Sequence, residues 1–342
     1  MTTAKPLLSV VSPVYEEEEV LPHFHRVLGE VLDGLADEYD AEILLVDDGS
    51  RDGTLALLRQ MAADDPRVRF FSFSRNFGHQ AAITAGLENA RGDAVVTLDC
   101  DLQHPPSLIP ALVLKWREGY DVVATVREDD RAVGSWKRLT SRVFFRLMRL
   151  LSEEQVREAA SDYQLLSRKA IQALMLMQET HRYLRGMVNW LGFPTATIPF
   201  RVARRKAGTS KFTFDRLTGF ATDALLSFSK IPLRIPFFLG AAVVFVGLLY
   251  ALYGLTRAVV AGEMLEPGWV TVLATLHLIG GSILCSVSLV GEYVGRIYEQ
   301  VKGRPLYLLK ESSPNRLGGR RGRAKAASAR SPGLILQTDA AE

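Results

Sequence analysis

Two aspartates, Asp99 and Asp101, stand one residue apart in TLDCDLQHPP, where an apolar run gives out. A second acidic pair, Asp47 and Asp48, closes another apolar run in AEILLVDDGS. Carboxylates so placed suit a hard divalent cation. Mg2+ commonly takes one or two protein carboxylates and fills its other positions with phosphate oxygens and water. A bare D-x-D also occurs in ordinary solvated loops, and VDDGSRDGT also reads as a turn, with Gly49 and Gly53 in it and Asp52 capping a helix. The recurrence of acidic pairs at two run ends favours chemistry, as do basic residues downstream: Arg127, Lys137, Arg138, and the stretch RKAGTSKF with Arg205, Ser210 and Lys211. Guanidinium and ammonium groups suit phosphate oxygens. The plainer alternative for that stretch is a basic surface facing anionic lipid.

The elements that must position these groups alternate. Strand-like runs are LLSVVSPV, AEILLVDDGS, VRFFSFS, DAVVTLDCD and YDVVATVRE, separated by amphipathic stretches near Val20–Leu35, Thr54–Ala63, His79–Ala90 and Leu108–Arg117. That order predicts an α/β fold, a mainly parallel sheet with helices on both faces. Ligands of such sheets lie beyond the carboxyl ends of the strands. Pro13 and Tyr15, Asp47 and Asp48, Ser74 and Arg75, and Asp99 and Asp101 fall there. No glycine-rich phosphate loop follows the first strand and no GxxxxGK[ST] occurs, so a metal on carboxylates is the expected counter-charge for phosphates. Period two places Asp99 and Asp101 on one side of their strand, with Cys100 turned into the core and inert.

The 342 residues are 48% hydrophobic and 23% charged, enough for one sizeable domain and something smaller. A net charge of +3 gives no argument for nucleic acid. The two cysteines, Cys100 and Cys285, offer neither a disulfide framework nor a zinc spacing. The N-terminus lacks a signal-peptide pattern: its apolar run is short, contains Pro13 and meets four glutamates. Two uncharged apolar runs follow, Ile235–Thr256 and Trp269–Gly291. Each is about 22 residues, long enough for a ~30 Å hydrocarbon core. Buried core helices are the alternative, but globular helices of that length rarely lack charge. Lys230 and Arg234 precede the first run, and Arg296, Lys302 and Arg304 follow the second. Positive-inside therefore places both flanks and the N-terminal domain in the cytoplasm. The expected organisation is a soluble domain over 1–212, an interfacial amphipathic helix over 213–234 and spans over 235–256 and 269–291. A juxtamembrane segment over 292–310 and a disordered tail over 311–342 complete it.

SPVYEEEEVL, LLVDDGSRDGT, SRNFGHQAAITAGLENARGDAVVTLDCDLQHPP and SDYQLLSRKAI resemble family 2 glycosyltransferases of GT-A fold. Within them the likeness is to polyprenyl-phosphate glycosyltransferases, and GEYVGRIYEQVKGRPLYLL resembles their two-span bacterial members. The resemblance runs from about Leu7 to Leu309. It implies inverting transfer of a sugar from a nucleotide diphosphate sugar to the phosphate of a membrane polyprenol. It also implies Mg2+ or Mn2+, an integral protein of the cytoplasmic membrane with both termini inside, and a homo-oligomer, often a tetramer among relatives. By the same resemblance Pro13, Tyr15, Glu17, Asp47 and Asp48 line the nucleotide. Asp101 binds metal, with Asp99 at the metal or the sugar nucleotide and Gln103 beside the diphosphate. Asp162 faces the acceptor, orienting the lipid phosphate or the sugar; Asp162, Asp99 and Arg127 are the expected catalytic residues, and Lys137, Arg205, Ser210 and Lys211 serve phosphates. Glu16 stands where an asparagine is usual, and Gln164 where many relatives have arginine. His104 stands where many have aspartate; a hydrogen bond to its loop is expected of it before a metal role. Glu18 and Glu19 read as an acidic helix start, and Asp162 has a plainer reading as a strand-edge aspartate. Rival functions fare worse. A processive synthase would carry Q-x-x-R-W, which is absent. A binding scaffold with a dead domain would not need intact acidic pairs. A channel would carry ionisable residues in its spans, where only His277 qualifies.

Overall fold

The computed structural model describes residues 5–127, 160–180, 182–200 and 268–314, with scattered helical positions between 240 and 260. They fall into two compact units, one holding the sheet together with the segment after Arg304, the other including the described residues from 268 to 304.

The first unit follows the alternation of its sequence. Strands β1 (Leu7–Val14), β2 (Asp40–Asp47), β3 (Val68–Phe73) and β4 (Ala94–Thr97) are joined by helices α1 (Leu21–Asp33), α2 (Thr54–Asp64) and α3 (His79–Asn89). After a turn of 3-10 helix (Pro106–Leu108) come α4 (Ile109–Arg117), β5 (Val122–Arg127) and β6 (Ala160–Ser167). Then follow α5 (Arg168–Met175), α6 (Leu184–Trp190), β7 (Thr195–Phe200) and β8 (Leu309–Ser312). The eight strands form one sheet in the order β7-β5-β6-β4-β1-β2-β3-β8. β1 pairs in parallel with β2 and β4, β2 with β3, and β5 with β7. β6 runs antiparallel between β4 and β5, and β8 antiparallel on the outer edge of β3.

Buried strands such as ILLV in β2 are apolar on both faces because helices cover both. One core joins Val10, Ile43, Leu45, Leu98, Tyr163 and Leu165 with Phe24 and Leu28 of α1 and Leu112 of α4. Each such aliphatic side chain contributes about 1.5–3 kcal/mol on burial. Cys100 lies in that core, as expected, and burial pushes its thiol up.

The strand order reverses at β1, with β2 and β3 on one side of it and β4 on the other. That switch point is where an open α/β sheet leaves a crevice. β4 pairs with β1 only as far as Thr97 opposite Val11, and the Leu98 amide makes the last bond to the Val11 carbonyl. Pro13, with no N–H to donate, follows two residues later, where β4 no longer asks for one.

In the second unit one helix stands out among the described residues, α7 (Trp269–Val301). Its stretch Leu278–Val301 is long and apolar enough to cross a membrane, and none of it is buried. Ser282 and Ser286 donate to the carbonyls of Leu278 and Ser282, which satisfies their hydroxyls within the helix. The helix runs on without a break past Gly291, where the expected span ends. Of the first expected span only scattered positions are described; Phe245, Val246 and Leu249 are helical and exposed. The interfacial helix expected over 213–234 lies outside the described residues.

The tail differs from expectation at its start. Order continues through β8, and Ser313 both donates its amide to the Phe70 carbonyl and accepts from the Phe70 amide through Oγ. The polar LKES is a strand because the β3 edge needs a partner and Arg59 grips Glu311 with two bonds of 2.9 and 2.6 Å.

Candidate active site

The first acidic pair shapes the loops over β1, β2 and β3. Asp47 is fully buried and accepts from the Ser50 amide at 2.9 Å and the Ser72 hydroxyl at 2.7 Å. Asp48, also buried, takes the amides of Phe77 at 2.7 Å and Gly78 at 3.0 Å. Burial pushes the Asp48 carboxyl up despite those two amides. Gly49 sits at φ +73°, where a Cβ would lie 2.5 Å from the Arg75 carbonyl carbon, so glycine is required. Gly78, at φ +102°, turns the chain into α3.

The loop after β1 bonds directly to the loop after β2. Pro13 is buried, while Tyr15 and Glu17 are half-buried. The Glu17 amide donates to Thr54 Oγ1 at 3.1 Å, and the Glu16 amide to Ser50 Oγ at 2.9 Å. Glu16 adopts φ +52°, a left-handed conformation that asparagine tolerates better than glutamate. Glu18 does not serve the start of α1. Its carboxylate accepts from the Gly53 amide at 2.6 Å, at the N-terminus of α2.

The second acidic pair departs from the simple strand picture. β4 ends at Thr97, so Asp99 and Asp101 sit on a turn and period two does not set their directions. Asp101 Oδ1 accepts the Gln103 amide at 3.0 Å, and Leu102 between them takes φ +59°. Strain of this kind in a non-glycine residue gathers at functional loops. His104 holds the turn from beneath. It is buried against Tyr163 and Phe200, its Nδ1 accepts the Asp99 amide at 3.1 Å, and its Nε2 faces Ser161 Oγ at 2.8 Å. Burial lowers its pKa, which keeps the ring neutral with its proton on Nε2. The expected loop hydrogen bond is therefore what His104 makes.

The inserted antiparallel strand brings Asp162 to the same place. In the β4–β6 register Thr97 pairs with Gln164, and the chain leaves β4 there, so Asp99 and Asp162 are brought together at that end of the pair through His79 rather than by strand pairing. β6 is interior, between β4 and β5, so Asp162 is not a strand-edge residue. Thr97 Oγ1 donates to the Asp162 carbonyl at 2.5 Å and fixes the backbone. Two carboxylates side by side need balancing charge. His79, the first residue of α3, places Nε2 3.4 Å from Asp162 and 3.7 Å from Asp99. Arg185, from α6, donates Nε to Asp162 Oδ1 at 2.9 Å and Nη2 to Oδ2 at 3.2 Å. Burial would raise the Asp162 carboxyl, but His79 and Arg185 overcome it and hold it well below the usual carboxylate range. Burial disfavours charge on His79, yet Asp162 and Asp99 lift its pKa to about 9. Gln80 braces the group, its Oε1 accepting the Leu184 amide at 3.1 Å and its Nε2 lying 3.5 Å from Asp162.

Sequence reading missed His79, Gln80 and Arg185. His79 and Gln80 were visible as polar residues opening a helix directly after a strand-end loop, where ligand contacts gather. No spacing ties Arg185 to Asp162. Gln164 is buried in β6, and the guanidinium beside Asp162 is that of Arg185 from α6.

Gln103 Oε1 lies 3.5 Å from Nη2 of Arg127, an exposed residue at the end of β5. Lys137, Arg205, Ser210 and Lys211 lie outside the described residues. Among those described, no three or more His, Cys, Asp and Glu side chains converge as a metal cage. Asp99, about a third exposed, and half-buried Asp101 are the hard oxygen donors that Mg2+ or Mn2+ takes. Two carboxylates leave positions for phosphate oxygens, so the residues fit a metal shared with substrate.

Residues 9–175 match the family model described as Glycosyl transferase family 2. The SfII prophage-derived bactoprenol glucosyl transferase of Shigella flexneri is 36% identical over 305 residues, covering 89% of this chain and 98% of that protein. The putative glycosyltransferase CsbB of Bacillus subtilis is 36% identical over 312 residues, covering 91% and 93%. The prophage bactoprenol glucosyl transferase homolog of Escherichia coli is 35% identical over 303 residues, covering 89% and 98%. A looser likeness is to the solved glucosyl-3-phosphoglycerate synthase of Mycobacterium tuberculosis, 22% identical with TM-score 0.45 over 65% of this chain and 78% of that one. The chain belongs to glycosyl transferase family 2, and its mostly parallel α/β sheet is GT-A-like.

Proposed function

We propose that this glycosyltransferase moves a sugar from a nucleoside diphosphate to the phosphate of a membrane polyprenol, inverting the anomeric carbon. The observation that carries this reading is the pair Asp99, just past the end of β4, and Asp162, on β6, bridged by His79. An acceptor phosphate oxygen bonds to the anomeric carbon as the bond from that carbon to the diphosphate breaks. The electron pair leaves with the nucleoside diphosphate. The attacking oxygen is already anionic, so no strong base is needed to take a proton. Asp162, kept ionised by its partners, stands where the acceptor approaches the sugar and stabilises the positive charge that the anomeric carbon gains.

Pro13, Tyr15, Glu17 and Asp48 line the base and ribose, with Asp47 shaping the floor from within. Asp101, with Asp99, would hold Mg2+ or Mn2+, which stabilises charge on the departing diphosphate. Gln103 and Arg127 lie beside that diphosphate, and Lys137, Arg205, Ser210 and Lys211 serve phosphates of donor or lipid. α7 and the apolar run Ile235–Thr256 anchor the chain in the cytoplasmic membrane, with the catalytic domain and both termini inside, as a homo-oligomer of up to four chains. The names of the relatives in Shigella and Escherichia support a polyprenyl acceptor, and make glucose the first sugar to test.

The test uses the purified full-length chain in detergent with polyprenyl phosphate, Mg2+ or Mn2+, and a panel of UDP- and GDP-sugars. A lipid-linked sugar and free nucleoside diphosphate are expected from one donor. Binding of a donor with no turnover of any would mean a membrane-anchored nucleotide-sugar-binding scaffold instead.

A further inference from the structure

The stretch PLYLL after α7 has no part in the chemistry above, yet it is built into the sheet unit. β8 pairs with β3 through Phe71 opposite Ser312 and Ser72 opposite Glu311, then shifts register before Phe73 meets Leu309. A shift of that kind re-aims side chains. The Ser74 amide donates to the Leu308 carbonyl at 2.9 Å, so the segment reaches the start of the loop that follows β3.

Tyr307 lies buried at that point. Its ring stacks on Phe73 with centroids 4.8 Å apart and planes 16° from parallel. Phe73 meets Phe77 edge-on at 5.7 Å, and the Arg75 guanidinium covers the Phe77 ring at 4.1 Å. The Phe77 and Gly78 amides are those that hold Asp48, and the next residue is His79. The Tyr307 hydroxyl donates to Glu88 Oε2 at 2.5 Å, in the last turn of α3. One side chain thus touches the ring stack ahead of α3 and the far end of α3 itself. Aromatic pairs in such geometries attract beyond the burial of their area, which biases a short loop.

We infer that Tyr307 is a positioning residue: through Phe73 and Phe77 it fixes the 74–78 loop, and with it Asp48 and His79, in the arrangement that receives the nucleoside diphosphate sugar. The inference rests on the proposed function for its ligand, but its structural half can be tested without turnover.

Hydrogen exchange on the full-length chain in detergent, without ligand, reads the structural half. Tyr307→Ala should speed exchange of the Phe77 and Gly78 amides about tenfold while α1 amides keep the wild-type rate. Tyr307→Phe, which keeps the ring and loses the Glu88 bond, should stay near wild type. Should the alanine variant fail to fold, Tyr307→Leu replaces it, supplying apolar bulk without a flat face. Arg59→Ala, which loosens β8 away from the ring stack, should leave both amides unchanged. With whichever sugar nucleotide the wild type turns over, Tyr307→Ala or Leu should raise donor KM about tenfold and change kcat less than threefold. A merely structural role would lower the melting temperature and leave KM alone. Unchanged exchange at Phe77 and Gly78 in the alanine or leucine variant overturns the inference, as does equal loosening in the phenylalanine and leucine variants. A wild type that turns over no donor defeats the proposed function instead, and the exchange result still decides the role of Tyr307.

Discussion

Arg185 holds Asp162 by two parallel bonds, Nε to Oδ1 at 2.9 Å and Nη2 to Oδ2 at 3.2 Å. The fork fixes the orientation of the carboxylate as well as its charge. Arg185→Ala leaves a buried carboxylate with His79 and Gln80 as its remaining side-chain neighbours at this face. Loss of one member of a buried pair costs about 3 kcal/mol, and kcat is expected to fall about 100-fold. Arg185→Lys keeps the charge without the fork and should fall between wild type and alanine. Urea unfolding and steady-state kinetics on the three proteins check this. Wild-type kcat in the alanine variant would remove Asp162 from the chemistry.

Asp101 offers a cleaner separation of fold from metal. Its Oδ1 accepts the Gln103 amide, and the carbonyl of asparagine accepts equally well. Asp101→Asn should keep the melting temperature of the metal-free protein within about 1 °C of wild type, corresponding to a few tenths of a kcal/mol. The Mg2+ or Mn2+ concentration giving half-maximal activity should rise at least about tenfold, because a charged oxygen ligand is lost. An unchanged metal titration would take Asp101 out of the metal site.

The difference between these two sites shows what a linear reading reaches. β1 to β5 and α1 to α4 announce themselves by apolar runs and amphipathic spacing, and the strand-end rule then picks out Asp48, Asp99 and Asp101. The group around Asp162 obeys no such rule. Residues 79, 99, 162 and 185 meet because β6 enters antiparallel between β4 and β5, and α6 folds back over it. Neither event leaves a local mark, since β6 reads as a short mixed run and α6 is seven residues long. β8 was illegible for another reason: LKES has no strand pattern and is one only because β3 lies beside it. Period counting failed at Asp99 and Asp101 because the strand stops at Thr97 and a turn takes over.

Glu16 carries a backbone cost that a single substitution can remove. At φ +52° a side chain with a long stem is less at ease than asparagine. Glu16→Asn should raise unfolding stability by about 0.5 kcal/mol. Glu16→Val, branched at Cβ, should lower it by about 1 kcal/mol or more. Chemical denaturation of both variants against wild type measures the pair.

The acid side of the stability curve has an identifiable contributor in Asp65. It accepts the Arg67 amide at 2.9 Å and Nη2 of Arg67 at 2.9 Å, with His25 Nε2 at 3.3 Å. Burial would raise its carboxyl, but Arg67 and His25 bring it below the ordinary value. A depressed folded pKa stabilises above the unfolded value near 3.9 and loses that stabilisation as pH falls through the folded one. Asp65→Asn should therefore cost about 1–2 kcal/mol at pH 7, and the gap to wild type should shrink below pH 4. Urea midpoints across pH 3 to 8 test this; a gap that stays constant would assign the effect to packing.

The most direct test of the central claim is a single assay. Full-length enzyme, Mg2+, polyprenyl phosphate and radiolabelled UDP-glucose, with the other sugar nucleotides in parallel, are followed by extraction into organic solvent. Label from one donor should enter the lipid phase in step with release of nucleoside diphosphate, and Asp162→Asn should reduce it about 100-fold or more. No label in lipid from any donor, or full transfer by Asp162→Asn, would contradict the account.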